Sequence, residues 1–182
     1  MSTSEIMNIR DWIKYCCARG TLFPVEPLIQ SDSIERGLYV SGDIYKMLQP
    51  PWESMKQEEE WGYARNIMDT FVSGGIVSIP KEGRRKNAPY HQMALLSPQE
   101  KGVWDIRATK PKPGIRVVGQ FAEKDLFIAL VWQHRTVLGG YNSKEWKNVI
   151  LGCQTKWRNI FPSYAPYTGG DYNDYLSNII LT

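Results

Sequence analysis

Residues 103–132, VWDIRATKPKPGIRVVGQFAEKDLFIALVW, constrain the fold more than any other stretch, because they read as three consecutive strands joined by two short turns. In residues 103–109, Trp104, Ile106 and Ala108 alternate with Asp105, Arg107 and Thr109, the period of two expected of a strand with one buried face. The KPKPG run at 110–114 ends that strand, since its prolines remove backbone donors and its glycine admits a positive φ. Ile115, Val117, Gly119 and Phe121 then point one way and Arg116, Val118 and Gln120 the other, up to a polar turn at 122–125. Residues 126–132 are apolar at every position, which predicts a central strand covered on both sides. Arg107 and Arg116 thus fall on polar faces of neighbouring antiparallel strands, with His134 and Arg135 just past the third. The expectation is that these four groups converge on one concave face of the sheet.

A chain of 182 residues with 42% hydrophobic and 23% charged side chains is long enough for one domain with its own core. Seven tryptophans and ten tyrosines imply aromatic packing or a stacking surface. No apolar run approaches the length of a membrane span and the start, MSTSEIMNIRDW, has no signal-peptide pattern, so the expectation is a cytoplasmic protein without membrane attachment. Cys16, Cys17 and Cys153 lack C-x-x-C spacing and read as reduced thiols, with no zinc site. The net charge of +3 is unevenly spread: residues 1–80 carry a balance of −4, residues 81–116 one of +6, and residues 117–182 one of +1. An anionic partner is expected at the middle.

Along the chain, residues 4–19 predict a helix capped by Ser4, with Ile6, Ile9, Ile13 and Cys17 on its packing stripe. Residues 1–50, punctuated by Pro24, Pro27 and Pro50, read as an N-terminal extension, with short strand and helix candidates at 37–41 and 42–48. A second helix is expected over 52–71, with Trp52, Met55, Glu59, Tyr63, Ile67 and Phe71 on one stripe, Glu58–Glu60 as a solvated acidic run, and Gly74 and Gly75 as its stop. The following loop groups Arg84, Arg85 and Lys86 near Tyr90 and His91; it is either an RNA-binding loop on a phosphate backbone or an ordinary surface loop. Residues 143–160 predict a helix capped by Ser143 with Trp146, Ile150, Cys153 and Trp157 inward, and residues 163–182 form an aromatic C-terminal tail.

This order of elements, with Gly102, Trp104 and Arg107, then Gly114, Arg116 and Val117, then the apolar strand 126–131 followed by His134 and Arg135, resembles the RelE/HigB-like superfamily of toxins, including its phage-derived branch. The resemblance spans about residues 52–161. It implies an α+β fold of the RelE/ParE kind, a twisted antiparallel sheet with helices packed on one face, formed by a core over residues 51–162. It further implies a metal-independent endoribonuclease that cuts messenger RNA on the ribosome within a toxin–antitoxin pair, with RNA, the ribosome and an antitoxin protein as partners and no cofactor. The chain departs from the family in lacking a Lys-Lys pair after the third strand and in its extra segments at both ends.

RNA cleavage needs a base for the 2′-hydroxyl, charge stabilisation at the phosphoryl oxygens and an acid for the leaving oxygen. Arg107, Arg116 and Arg135 are candidates for phosphate contacts, and His134 for acid and base, with His91, Tyr164 or Tyr167 behind it. The bland alternatives are salt bridges from the strand arginines to Asp105 or Glu123 and a surface histidine. There is no Walker loop, G-x-S-x-G elbow or H-E-x-x-H pattern, and the carboxylate pairs lack histidines at metal-ligand spacing. The alternative function is a non-catalytic module that uses the aromatic tail or the N-terminal segment as a protein interface.

Overall fold

The computed structural model describes residues 7–81, 91–140 and 142–182. The three strands foreseen at its centre are β5 (Val103–Ala108), β6 (Ile115–Glu123) and β7 (Leu126–His134), joined antiparallel in that order. On the outer side of β5 lies β4 (Met93–Leu95). On the outer side of β7 the chain adds two strands from its first 50 residues, β1 (Leu22–Pro24) and β2 (Gly37–Ser41), of which β2 runs parallel to β7. Among the described residues the six-stranded order is therefore β1-β2-β7-β6-β5-β4, a mixed sheet and not the antiparallel one expected. The N-terminal segment is part of this sheet, because β7 has two apolar faces and two edges to satisfy and the β5–β6 unit covers only one edge.

The helices lie on both faces, which corrects the one-sided packing expected. On one face α3 (Met55–Val72) buries Trp61, Ala64, Met68 and Phe71 against Trp104, Ile106, Val117, Phe121, Phe127 and Ala129. On the other, α1 (Ile9–Ala18) and α4 (Lys144–Ile160) bury Ile13, Ile150, Cys153 and Trp157 against Val103, Val118, Ile128 and Leu130. A fully buried large aliphatic side chain contributes about 1.5–3 kcal/mol, so a strand apolar on both faces strongly favours two covers. α4 forms as its sequence foretells, with the Ser143 hydroxyl accepting from Trp146 N at 3.1 Å. α1 begins at Ile9, where Asn8 caps it by accepting from Asp11 N at 2.9 Å; the cap expected at Ser4 lies outside the described residues. α3 buries Ile67 and Phe71 of the expected stripe, but Met55 is 79% exposed and Glu60 is buried, so the stripe is shifted at its start and the acidic run is not wholly a solvated face.

The tail docks. Its α5 (Tyr172–Tyr175) packs on the core, and its β8 (Ile179–Leu181) pairs in parallel with β3 (Val77–Ile79) as a separate two-stranded sheet. Tyr167 N donates to Phe121 O, and Tyr175 packs against Trp104 and Phe121. Buried Arg36 donates to the carbonyls of Phe71, Gly75 and Ser177, tying the C-terminal end of α3 to the tail. Between β2 (Gly37–Ser41) and α3 lies the short helix α2 (Gly42–Met47), which seats Ile44 in the same core.

Candidate functional site

Pairing of β5 with β6 sets Arg107 directly opposite Arg116. Two like charges in that relation repel. The repulsion is resolved by Asp105, two residues before Arg107 and therefore on the same face. Its carboxylate is fully buried; Arg107 Nε donates to both oxygens, at 2.9 and 3.0 Å, and Arg116 Nε lies 3.5 Å from Oδ2. Arg116 Nη1 also donates to its neighbour Ile115 O at 3.0 Å. The buried carboxylate holds the Arg107 guanidinium by hydrogen bonds, and Arg116 by an ion pair beside its bond to Ile115 O, so that both charges are positioned in advance of any ligand.

Above this pair, the N-terminal half of α4 and the end of β7 leave a cleft of about 570 Å³. Arg107, Arg116, Arg135 and Lys81 line it, with Trp146 and Tyr172 as aromatic walls and no carboxylate among the described lining residues. Arg135 is braced by its backbone N–H to Gly114 O and by Nη1 to Gly139 O at 2.8 Å.

Arg135 reaches this face through a bulge. In β7 the pairing steps from Val118↔Val131 to Gly119↔Ala129, so Leu130 is an extra residue. Gly119 permits it, since a Cβ there would lie 2.1 Å from Ile128 O. Beyond the bulge the alternation is reversed. Arg135 joins the arginines, and His134, paired with Ile115, points to the opposite face. There its Nδ1 lies 3.8 Å from Glu60 Oε2 and its ring meets Trp132 edge-on at 5.2 Å. The expected convergence of four groups is therefore corrected to three arginines, with His134 on the other side of the sheet.

His91 takes the place at Arg107 that His134 was expected to hold. It precedes β4 and its Nε2 contacts Arg107 Nη1. A guanidinium only donates, so in a bond between the two Nε2 is the acceptor. Neighbouring Gln92 holds this position, accepting from Ser78 N at 3.1 Å and from Arg107 N at 2.8 Å. Arg84, Arg85 and Lys86 lie outside the described residues. Tyr164 bonds to Met7 O, and Tyr167 packs edge-on against Tyr175 at 5.7 Å; neither lines the cleft.

Sequence reasoning missed Asp105 as an organiser, Trp146 as a cleft wall and Tyr172 altogether. The signal for Tyr172 was the DYND run at 171–174, a capping box in which Asp171 and Asp174 set the short helix that presents it. The three cysteines are unpaired, and burial pushes the Cys153 thiol up to about 12, far from a reactive thiolate. Among the described residues no group of three or more His, Cys, Asp or Glu is placed to hold a metal ion, and no helix is long and apolar enough to cross a membrane.

Comparison with known proteins yields no relative: no family model matches the chain, and no curated protein or solved structure is significantly similar to it.

Proposed function

We propose that the arginine cleft binds the phosphate backbone of RNA. The observation that carries the reading is the pair Arg107 and Arg116, cross-strand partners oriented by one buried carboxylate at the floor of a cleft that Arg135 and Lys81 also line. Planar guanidinium groups suit the bidentate geometry of phosphate oxygens, and a fixed orientation lowers the entropy lost on binding. Trp146 and Tyr172 supply flat surfaces of the kind on which unpaired bases stack. The resemblance to RelE/HigB-like toxins directs the reading to RNA among phosphate-bearing ligands. Should cleavage accompany binding, proton transfer falls to His91, the histidine on the arginine side of the sheet.

The test is binding of a labelled single-stranded oligoribonucleotide across a range of salt concentrations, with the Arg107→Ala/Arg116→Ala double variant alongside. The variant is expected to bind more weakly and to flatten the dependence of log K on log salt by about 0.7 for each phosphate it no longer neutralises. A folded wild-type chain that does not bind, or a double variant that binds as well, overturns the reading. In cells, induction of the wild-type chain is expected to slow growth and the double variant to relieve it.

A further inference from the structure

A second cleft, of about 310 Å³, adjoins the first. Leu95, Gln99 and Tyr172 line both, so the two form one groove with Tyr172 at the junction. Their polarity is opposite. The larger part is lined by Arg107, Arg116, Arg135 and Lys81; the smaller by Glu100 and Asp171, with Thr168 and the Gly169–Gly170 backbone and no cationic side chain among the described residues. A phosphate is attracted to one part and repelled from the other, so a ligand occupying both has an anionic end and an end rich in N–H donors.

We infer that the smaller cleft is a nucleobase subsite: one nucleotide of a single-stranded RNA sets its phosphate on the arginines and its base against Tyr172, with its N–H edge toward Glu100 and Asp171. This rests on the RNA reading above. Three observations carry it. The ring of Tyr172 stands edge-on to buried Trp104, with centroids 6.0 Å apart and planes at 76°, which gives it a fixed attitude. The loop that closes the cleft is itself fixed, because Asp174 Oδ2 accepts from Gly170 N at 2.8 Å and from Asp171 N at 3.0 Å. The carboxylates are acceptors only, and adenine, cytosine and guanine present exocyclic amino groups where uracil presents a single ring N–H. The subsite therefore favours amino-bearing bases over uracil.

The experiment measures affinities of the full chain for hexa-adenylate RNA, hexa-uridylate RNA and an abasic ribose-phosphate hexamer. Wild type is expected to bind hexa-adenylate about tenfold tighter than the abasic chain, the size of one stacked base, with hexa-uridylate between them. Tyr172→Ala is expected to bring hexa-adenylate to the abasic level, and Tyr172→Phe to keep the difference. Because Tyr172 packs on the core, Thr168→Trp is the companion variant: this position borders the cleft, and an indole there fills it. Equal binding of hexa-adenylate and the abasic chain by wild type overturns the subsite while leaving the phosphate reading in place. So does a base-dependent difference that survives both Tyr172→Ala and Thr168→Trp. If wild type binds none of the three, the RNA reading falls and the subsite falls with it.

Discussion

Among the described residues, each face of the sheet buries one carboxylate beside a cationic or titratable side chain, and the two are completed differently. Asp105, on the face of α4, is fully buried and engaged by two arginines. Glu60, on the face of α3, is 2% exposed and meets His134 at 3.8 Å, while its Oε1 has no hydrogen-bond partner among the described residues. The Asp105 carboxylate holds apart two like charges that strand pairing forces together. Nothing comparable depends on Glu60, because His134 is 42% exposed and has water to turn to. A buried charge that organises others is expected to tolerate no replacement, and a buried charge that organises nothing to be dispensable.

The largest expected effect is therefore at Asp105. Asp105→Ala leaves Arg107 and Arg116 opposed without their shared partner, and urea unfolding should show a loss of about 3–5 kcal/mol. A loss under about 1 kcal/mol would break the comparison, since the arginines would then be held by something else. Next in size is Gly119→Ala. The added methyl lies 2.1 Å from Ile128 O, a backbone atom that no rotamer change can move, so the bulge must deform at a cost of about 2–3 kcal/mol. Thermal unfolding measures that cost. Because the same bulge turns Arg135 into the cleft, RNA affinity of the folded variant should fall as well.

That bulge also marks where the sequence stopped being legible. Alternation along β5 and β6 correctly set Arg107 and Arg116 on one face, because period two holds as long as pairing is regular. Carried through β7 without a break, the same counting cannot assign the residues past Leu130, and only Gly119 hinted at an irregularity. α4 was legible because its cap, its inward stripe and its length agree. α3 was legible only in its second half: Ile67 and Phe71 are buried as expected, but each four-residue step overshoots a full turn by about 40°, so a stripe that ends on the buried face begins off it at Met55 and Glu59. The buried stripe runs through Glu60, Trp61, Ala64, Ile67, Met68 and Phe71. The strand candidate at 37–41 is observed as β2, but its place in the sheet was hidden, because β1 is short and ends at a proline and β2 joins through a parallel pairing between residues about 90 positions apart, such as Leu38 with Phe127. Tyr172 was hidden for a similar reason. Its place depends on Tyr167 N meeting Phe121 O and on Arg36 meeting Ser177 O, contacts that no local pattern announces.

A smaller effect, of opposite sign, is expected at Glu60. Glu60→Met replaces a carboxylate having an unsatisfied buried oxygen with an apolar chain of similar length beside Trp61 and the α3 core. Losing a poorly paired buried charge is neutral to stabilising, here by up to about 1 kcal/mol in urea unfolding. A loss of about 3 kcal/mol or more would place Glu60 with Asp105 as an organiser and erase the contrast between the faces.

The smallest effect is expected at His134, and it sharpens the comparison most. His134→Ala removes a half-exposed ring whose neighbours are Glu60 and Trp132, so stability should change by no more than about 0.5 kcal/mol. Its RNA affinity should equal that of wild type, because β6 and β7 lie between this ring and the arginine cleft. His91→Ala is the paired measurement: it removes the acceptor on Arg107 Nη1 and should weaken RNA binding by loosening that guanidinium. The order of the two histidine variants in one binding titration is thus a direct reading of which face meets RNA. If His134→Ala is the more damaging while remaining folded, the ligand engages the face of α3, and the register shift at Leu130 has not separated the two histidines in function.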